Sequence, residues 1–123
     1  MPRTAGYGRC VEPPDPTEST EASGSTEPTI TTLAALQDVI ERTYGERDRA
    51  RGKAATVAWL AEEIGELAQA VRKGNRDEQI HEFGDVVAWV ATLANQQGID
   101  LTEAVQRYAT GCPRCGSSPC ECD

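Results

Sequence analysis

Trp59-Leu60-Ala61-Glu62-Glu63-Ile64-Gly65-Glu66, a break at Gly74-Asn75, then Glu82-Phe83-Gly84-Asp85 and Trp89: the reading of this stretch decides the fold. Residues three apart on a helix differ by about 60° and lie about 5 Å apart. Glu63 and Glu66 therefore share a helix face, and so do Glu82 and Asp85. Val57, Leu60, Ile64, Leu67, Ala68 and Val71 recur at helical spacing and mark the apolar stripe of one helix. Ile80, Phe83, Val86, Val87, Val90 and Ala94 mark the stripe of the next. At about 100° per residue, each acid pair falls roughly 100–160° to one side of its stripe, with Trp59 or Trp89 between its members. Counted outward from Gly74-Asn75, the pairs lie about nine and ten residues away and the tryptophans about 15. An antiparallel hairpin thus carries carboxylates from both helices at one height, with an indole layer roughly one turn further out.

Outward from the hairpin the chain reads as all-α, a small bundle of about four helices. The first helix is expected from about Ile30 to Tyr44, with Leu33, Leu36, Val39 and Ile40 on one face and Gly45 ending it. Residues 45–53 follow with Arg47, Arg49, Arg51 and Lys53, either a solvated face or bases that touch phosphates. The second helix runs from about Ala54 to Lys73. Arg72 and Lys73 suit its C-terminus, and Gly74 suits the position just beyond. Asn75 with Glu78 three residues on forms a capping-box pattern for the third helix, which reaches about Gln97. Gly98-Ile99-Asp100 make a turn, and a short fourth helix begins near Leu101 or Thr102. About 80 helical residues form a meagre core, so the bundle is expected to complete itself by pairing with another copy. The faces carrying Trp59, Ala70 and Trp89 favour the same outcome.

A length of 123 residues allows one small domain. Residues 1–28 are rich in Pro, Thr, Ser, Glu and Gly and nearly lack large apolar side chains, so they are expected to be disordered. Residues 29–110 form the helical domain and residues 111–123 a cysteine-rich tail. The opening segment lacks the apolar run of a secretory signal, and no stretch approaches the roughly 20 apolar residues of a membrane span. A cytoplasmic protein is expected. The net charge of −8 argues against binding to the nucleic-acid backbone.

Carboxylates from two facing helices are hard oxygen ligands and suit Mg²⁺ or Mn²⁺, whose natural partners are phosphate oxygens. The alternative is a solvated acidic face, which describes Glu62 well. Leu60-Ala61-Glu62-Glu63-Ile64-Gly65-Glu66-Leu67, then Glu82-Phe83-Gly84-Asp85-Val86, then Leu93-Ala94-Asn95-Gln96-Gln97-Gly98-Ile99-Asp100-Leu101 resembles the MazG-like nucleoside triphosphate pyrophosphohydrolases. Their hallmark ExxE, spacer, ExxD is filled here by Glu63, Glu66, Glu82 and Asp85. The resemblance implies an all-α fold, a homodimer or homotetramer, and Mg²⁺-dependent cleavage of a nucleoside triphosphate into monophosphate and pyrophosphate. It assigns metal binding to those four acids, with Glu63 or Glu66 as the catalytic proton acceptor. Many members also carry a basic residue and an asparagine after Gly-Ile-Asp-Leu. Arg107 could be the base, and the asparagine has no clear counterpart. Lys53, Trp59, Trp89 and Arg107 are the candidate substrate-binding residues, the tryptophans either stacking on a base or packing.

Cys112-Pro113-Arg114-Cys115-Gly116 resembles half a zinc ribbon, and Cys120-Glu121-Cys122 follows. Cys112, Cys115, Cys120 and Cys122 suit a structural zinc site, against a redox-active tail or free thiols. Cys10 stands alone and receives no role. Glu78-x-x-His81 matches one half of a di-iron motif, but the chain has one histidine where two are needed, so His81 is expected to be exposed near the hairpin turn. Beside the pyrophosphohydrolase stand two other classes: a non-catalytic helical interaction module with a zinc-binding tail, and a thiol-based redox or metal-handling protein.

Overall fold

In a computed structural model, residues 26–123 are described. The expected disorder of residues 1–28 and Cys10 fall almost wholly outside that range. Four α-helices follow in order: α1 (Leu33–Arg51), α2 (Lys53–Lys73), α3 (Arg76–Gln97) and α4 (Leu101–Val105). A single 3₁₀ turn, Gln106–Tyr108, then leads into the tail. Among the described residues there is no strand, and no helix is long and apolar enough to cross a membrane.

The first helix departs from expectation at both ends. It begins at Leu33, because the Thr32 hydroxyl accepts from the Ala35 N–H and caps it. It does not stop at Gly45, which lies buried inside it, but continues through the arginine run to Arg51. Arg49 and Arg51 sit on its last turn, where the helix dipole favours positive charge. The break comes at Gly52, whose φ of 85° and ψ of 161° a side chain would resist. This one residue turns the chain from α1 into α2, and the buried Thr56 hydroxyl donates to its carbonyl at 3.1 Å.

The α2/α3 hairpin forms as the sequence predicts. Asn75 Oδ1 accepts from the N–H groups of Asp77 and Glu78, and Glu78 Oε2 accepts from the Asn75 N–H at 2.8 Å, a complete capping box. Gly74 ends α2 as expected, without a left-handed backbone. Its φ is −83°, and it must be glycine because a Cβ there would sit 2.7 Å from the Ala70 carbonyl oxygen.

The orientation of the hairpin reverses the expected use of its faces. Small residues make the interior: Thr56 and Ala70 on α2, and Ala91, Thr92 and Ala94 on α3, are buried. The large apolar stripe points away from it. Val57, Ile64, Val71, Ile80, Phe83, Val87 and Val90 are each between 38 % and 57 % exposed. Small side chains let helix backbones approach closely, and the bulky stripe is left without a partner among the described residues.

The turn after α3 is held from a distance. Gln37 on α1 donates to Asn95 Oδ1 at 3.0 Å and to the Ile99 carbonyl at 2.8 Å, while its own side-chain oxygen accepts from the Leu101 N–H. Asn95 returns a bond to the Gln37 carbonyl. Gly98 takes the left-handed conformation that ends α3, and the Asp100 carboxylate caps α4 by accepting from the Thr102 N–H. The Gly-Ile-Asp-Leu stretch is thus a helix stop, a clamped carbonyl and a helix start in sequence.

Candidate active site

The hairpin sets both layers at the heights the residue count predicts. Trp59 and Trp89 lie with ring centroids 6.1 Å apart and planes 8° from parallel. About a turn nearer the hairpin end, Glu63 and Glu66 of α2 meet Glu82 of α3, with one carboxylate oxygen from each lying within 4.8 Å of the others. Asp85 stands beside this trio, its Oδ2 3.3 Å from His81 Nε2 one turn back on α3. His81 is exposed, as expected.

A cleft of about 580 Å³ opens between this face and α1. Glu63, Asp85 and both tryptophans line it from the hairpin, and Ile40, Tyr44, Asp48 and Arg51 line it from α1. Glu63 thus belongs both to the cleft and to the acid trio. The Arg51 guanidinium lies 4.9 Å above the Trp89 ring and 2.7 Å from the Asp48 carboxylate. Asp48 is buried, so the pair is a fixed cation support, and stacking on the indole adds to it.

Crowded negative charge has a cost that the site displays. Burial pushes the Glu63 carboxyl up from its ordinary range, and the neighbouring charges of Asp85, Glu66 and Glu82 push the same way. The neighbouring Trp89 indole acts in the opposite sense. Among the described residues, Glu82 Oε2 is buried with no hydrogen-bond partner. A buried carboxylate oxygen without a donor is expensive, and a cation is what such an oxygen lacks. The donor set is all oxygen, which fits a hard divalent ion.

The other named candidates lie elsewhere. Lys53 Nζ donates to Gln97 Oε1 at 3.1 Å, tying the start of α2 to the end of α3. Arg107 stacks on Tyr108 in the exposed 3₁₀ turn. Neither lines the cleft. Asp48 is the cleft residue that sequence reasoning passes over. Its only signal is an acid three residues before Arg51 inside a run that reads as surface. At the far end of the chain Cys112, Cys115, Cys120 and Cys122 converge into a cluster that could hold a metal ion.

Residues 51–112 match the MazG nucleotide pyrophosphohydrolase domain. The Gene 37 protein of Mycobacterium phage L5 is 34 % identical over 86 residues, covering 61 % of this chain and 75 % of the phage protein. A domain match spanning half of the sequence agrees with an all-helical hairpin whose acids meet at one level. On these grounds the chain belongs to the MazG nucleotide pyrophosphohydrolase family.

Proposed function

We propose that the chain is a Mg²⁺-dependent nucleoside triphosphate pyrophosphohydrolase of the cytoplasmic nucleotide pool, releasing nucleoside monophosphate and pyrophosphate. The observation that carries this reading is the partnerless Glu82 oxygen beside Glu63 and Glu66. Glu63, Glu66, Glu82 and Asp85 would hold the ion, with Mn²⁺ as its substitute. When bound, it supplies charge neutralisation for the triphosphate and polarisation of a water.

The chain's own groups do the rest. Glu63 holds a proton more readily than an ordinary glutamate and sits at the boundary of acid layer and cleft, which suits it to accept the proton of an attacking water. Trp59 and Trp89 offer a flat apolar wall to a nucleobase. Arg51, held by Asp48, supplies the phosphate-binding charge that the sequence suggests for Lys53 and Arg107.

The exposed stripe supports the expected homodimer or homotetramer. Val57, Ile64, Val71, Ile80, Phe83, Val87 and Val90 run along both hairpin helices, and a second hairpin laid on them would complete a four-helix core. In this reading a hard cation on carboxylates and a soft one on thiolates serve separate parts of one chain. Pyrophosphate release from a panel of ribo- and deoxyribonucleoside triphosphates, with and without Mg²⁺, tests the proposal. Metal-dependent release from at least one substrate, abolished by Glu82→Gln, is the expected result. Release that survives Glu82→Gln at the wild-type rate would remove Glu82 from the site, and none from any substrate would end the enzymatic reading.

A further inference from the structure

We propose that residues 112–122 form a four-thiolate Zn²⁺ site that folds the tail and takes no part in the hydrolytic chemistry. None of residues 111–123 is buried, so no apolar core holds the segment together. Its hydrogen bonds from Cys112 onward run only within the segment, among the described residues. Nevertheless it closes on itself: the Cys112 N–H donates to the Ser117 carbonyl at 3.0 Å, and the Gly116 N–H donates to the Cys112 carbonyl at 2.7 Å. Gly111 permits this closure, with φ of 127° and a missing Cβ that would lie 2.9 Å from the Ser117 oxygen. A short coreless segment with a defined path is a segment organised by a ligand.

The sulfur geometry names the ligand. Cys112 Sγ lies 3.8 Å from Cys122 Sγ, and Cys115 Sγ lies 3.8 Å from Cys120 Sγ. All four sulfurs fall within 4.8 Å of one another. A tetrahedron built with Zn–S bonds of about 2.3 Å has edges of about 3.8 Å. A disulfide would bring two sulfurs to about 2.05 Å, and neither pair does so. One backbone group points at a sulfur as well: the Cys122 N–H donates to Cys120 Sγ at 3.4 Å. Soft sulfur ligands exclude Mg²⁺ as the occupant, and four of them leave no open position for a substrate or water. None of these residues lines the cleft between α1 and the hairpin.

The test uses the full-length protein. After dialysis, elemental analysis is expected to find about one zinc per chain. Cobalt in place of zinc is expected to give the intense visible bands and sulfur-to-metal charge transfer of a tetrahedral thiolate site. Titration with a mercurial reagent should release the zinc in step with thiol modification. Cys115→Ser and Cys120→Ser should each lower zinc content severalfold while Mg²⁺-dependent pyrophosphate release and helical circular dichroism stay at wild-type values. Should a variant fail to fold, the cobalt spectrum of the unmodified protein decides alone. Zinc absent from the purified protein, an octahedral cobalt spectrum, or iron bound with rubredoxin-like absorption would each overturn the proposal. A loss of hydrolysis that tracks zinc content in folded protein would overturn the separation of tail from catalysis.

Discussion

The two faces of the α2/α3 hairpin are built from the same helices and ask for opposite partners. The inner face carries small residues, two stacked indoles and crowded acids, and it is overlaid by α1. The outer face carries the bulk of the hydrophobic side chains, and among the described residues nothing overlays it. The ordinary rule, that the larger apolar stripe marks the core, therefore fits the proposed assembly better than the single subunit. What the subunit encloses is a largely apolar cleft that Glu63, Asp85, Asp48 and Arg51 also line, and crowded acids of this kind are groups that a bound cation would stabilise.

The sharpest way to break this contrast is to strike each face separately. On the inner face, Glu63→Gln should lower pyrophosphate release by about a hundredfold or more while sedimentation shows the wild-type oligomer. On the outer face, Phe83→Glu should shift the protein toward monomer in sedimentation, at a cost of about 2 kcal/mol or more in association. If Phe83→Glu leaves the oligomer intact and Glu63→Gln dissociates it, the assignment of the two faces is inverted.

A smaller effect sharpens the picture of the inner face. Trp59→Ala removes the stack on Trp89 and should cost about 0.5–1.5 kcal/mol of stability from the ring pair. If the indoles also hold a base, the Michaelis constant should rise more than the turnover number falls. A change confined to the melting temperature would make the pair a packing element only.

The gentlest test is pH. The Glu63 carboxyl titrates above its unfolded value, so the folded state binds its proton more tightly. Its favourable contribution is complete below the unfolded value near 4.5 and is lost as pH rises through the raised folded value. Metal-free protein should lose some denaturant resistance as pH climbs through the window just above 4.5. Glu63→Gln should flatten that slope, and Mg²⁺ should flatten it too. A slope unaltered by either would show that the acids do not feel one another.

How much of this was legible in the sequence follows from the range of the interactions. The register of the hairpin needed only helix geometry and one turn, so Trp59 could be matched to Trp89, and Glu63 and Glu66 to Glu82, by counting. The Asn75 cap is a contact over three residues and was equally plain. The end of α1 was not, because Gly45 and Gly52 are both credible stops. Burial of Gly45 among its neighbours, a tertiary fact, selects Gly52. The direction of the apolar stripe was hidden because both faces of the hairpin are hydrophobic enough to be inside something. Asp48 escaped notice because only its burial beside Arg51 distinguishes it from the other acids of a charged run. Gln37 gave no sign at all, since its partners lie 58 to 64 positions away.

That glutamine sets a practical limit on dissection. A fragment trimmed to α2 and onward would retain every clustered acid and both indoles. It would forfeit the amide that fastens Ile99 and Leu101, and with Tyr44 and Asp48 one whole wall of the cleft. The helices that bear the family signature thus carry the clustered acids without the clamp and the wall that α1 supplies, so a fragment meant to test the proposed activity should keep α1.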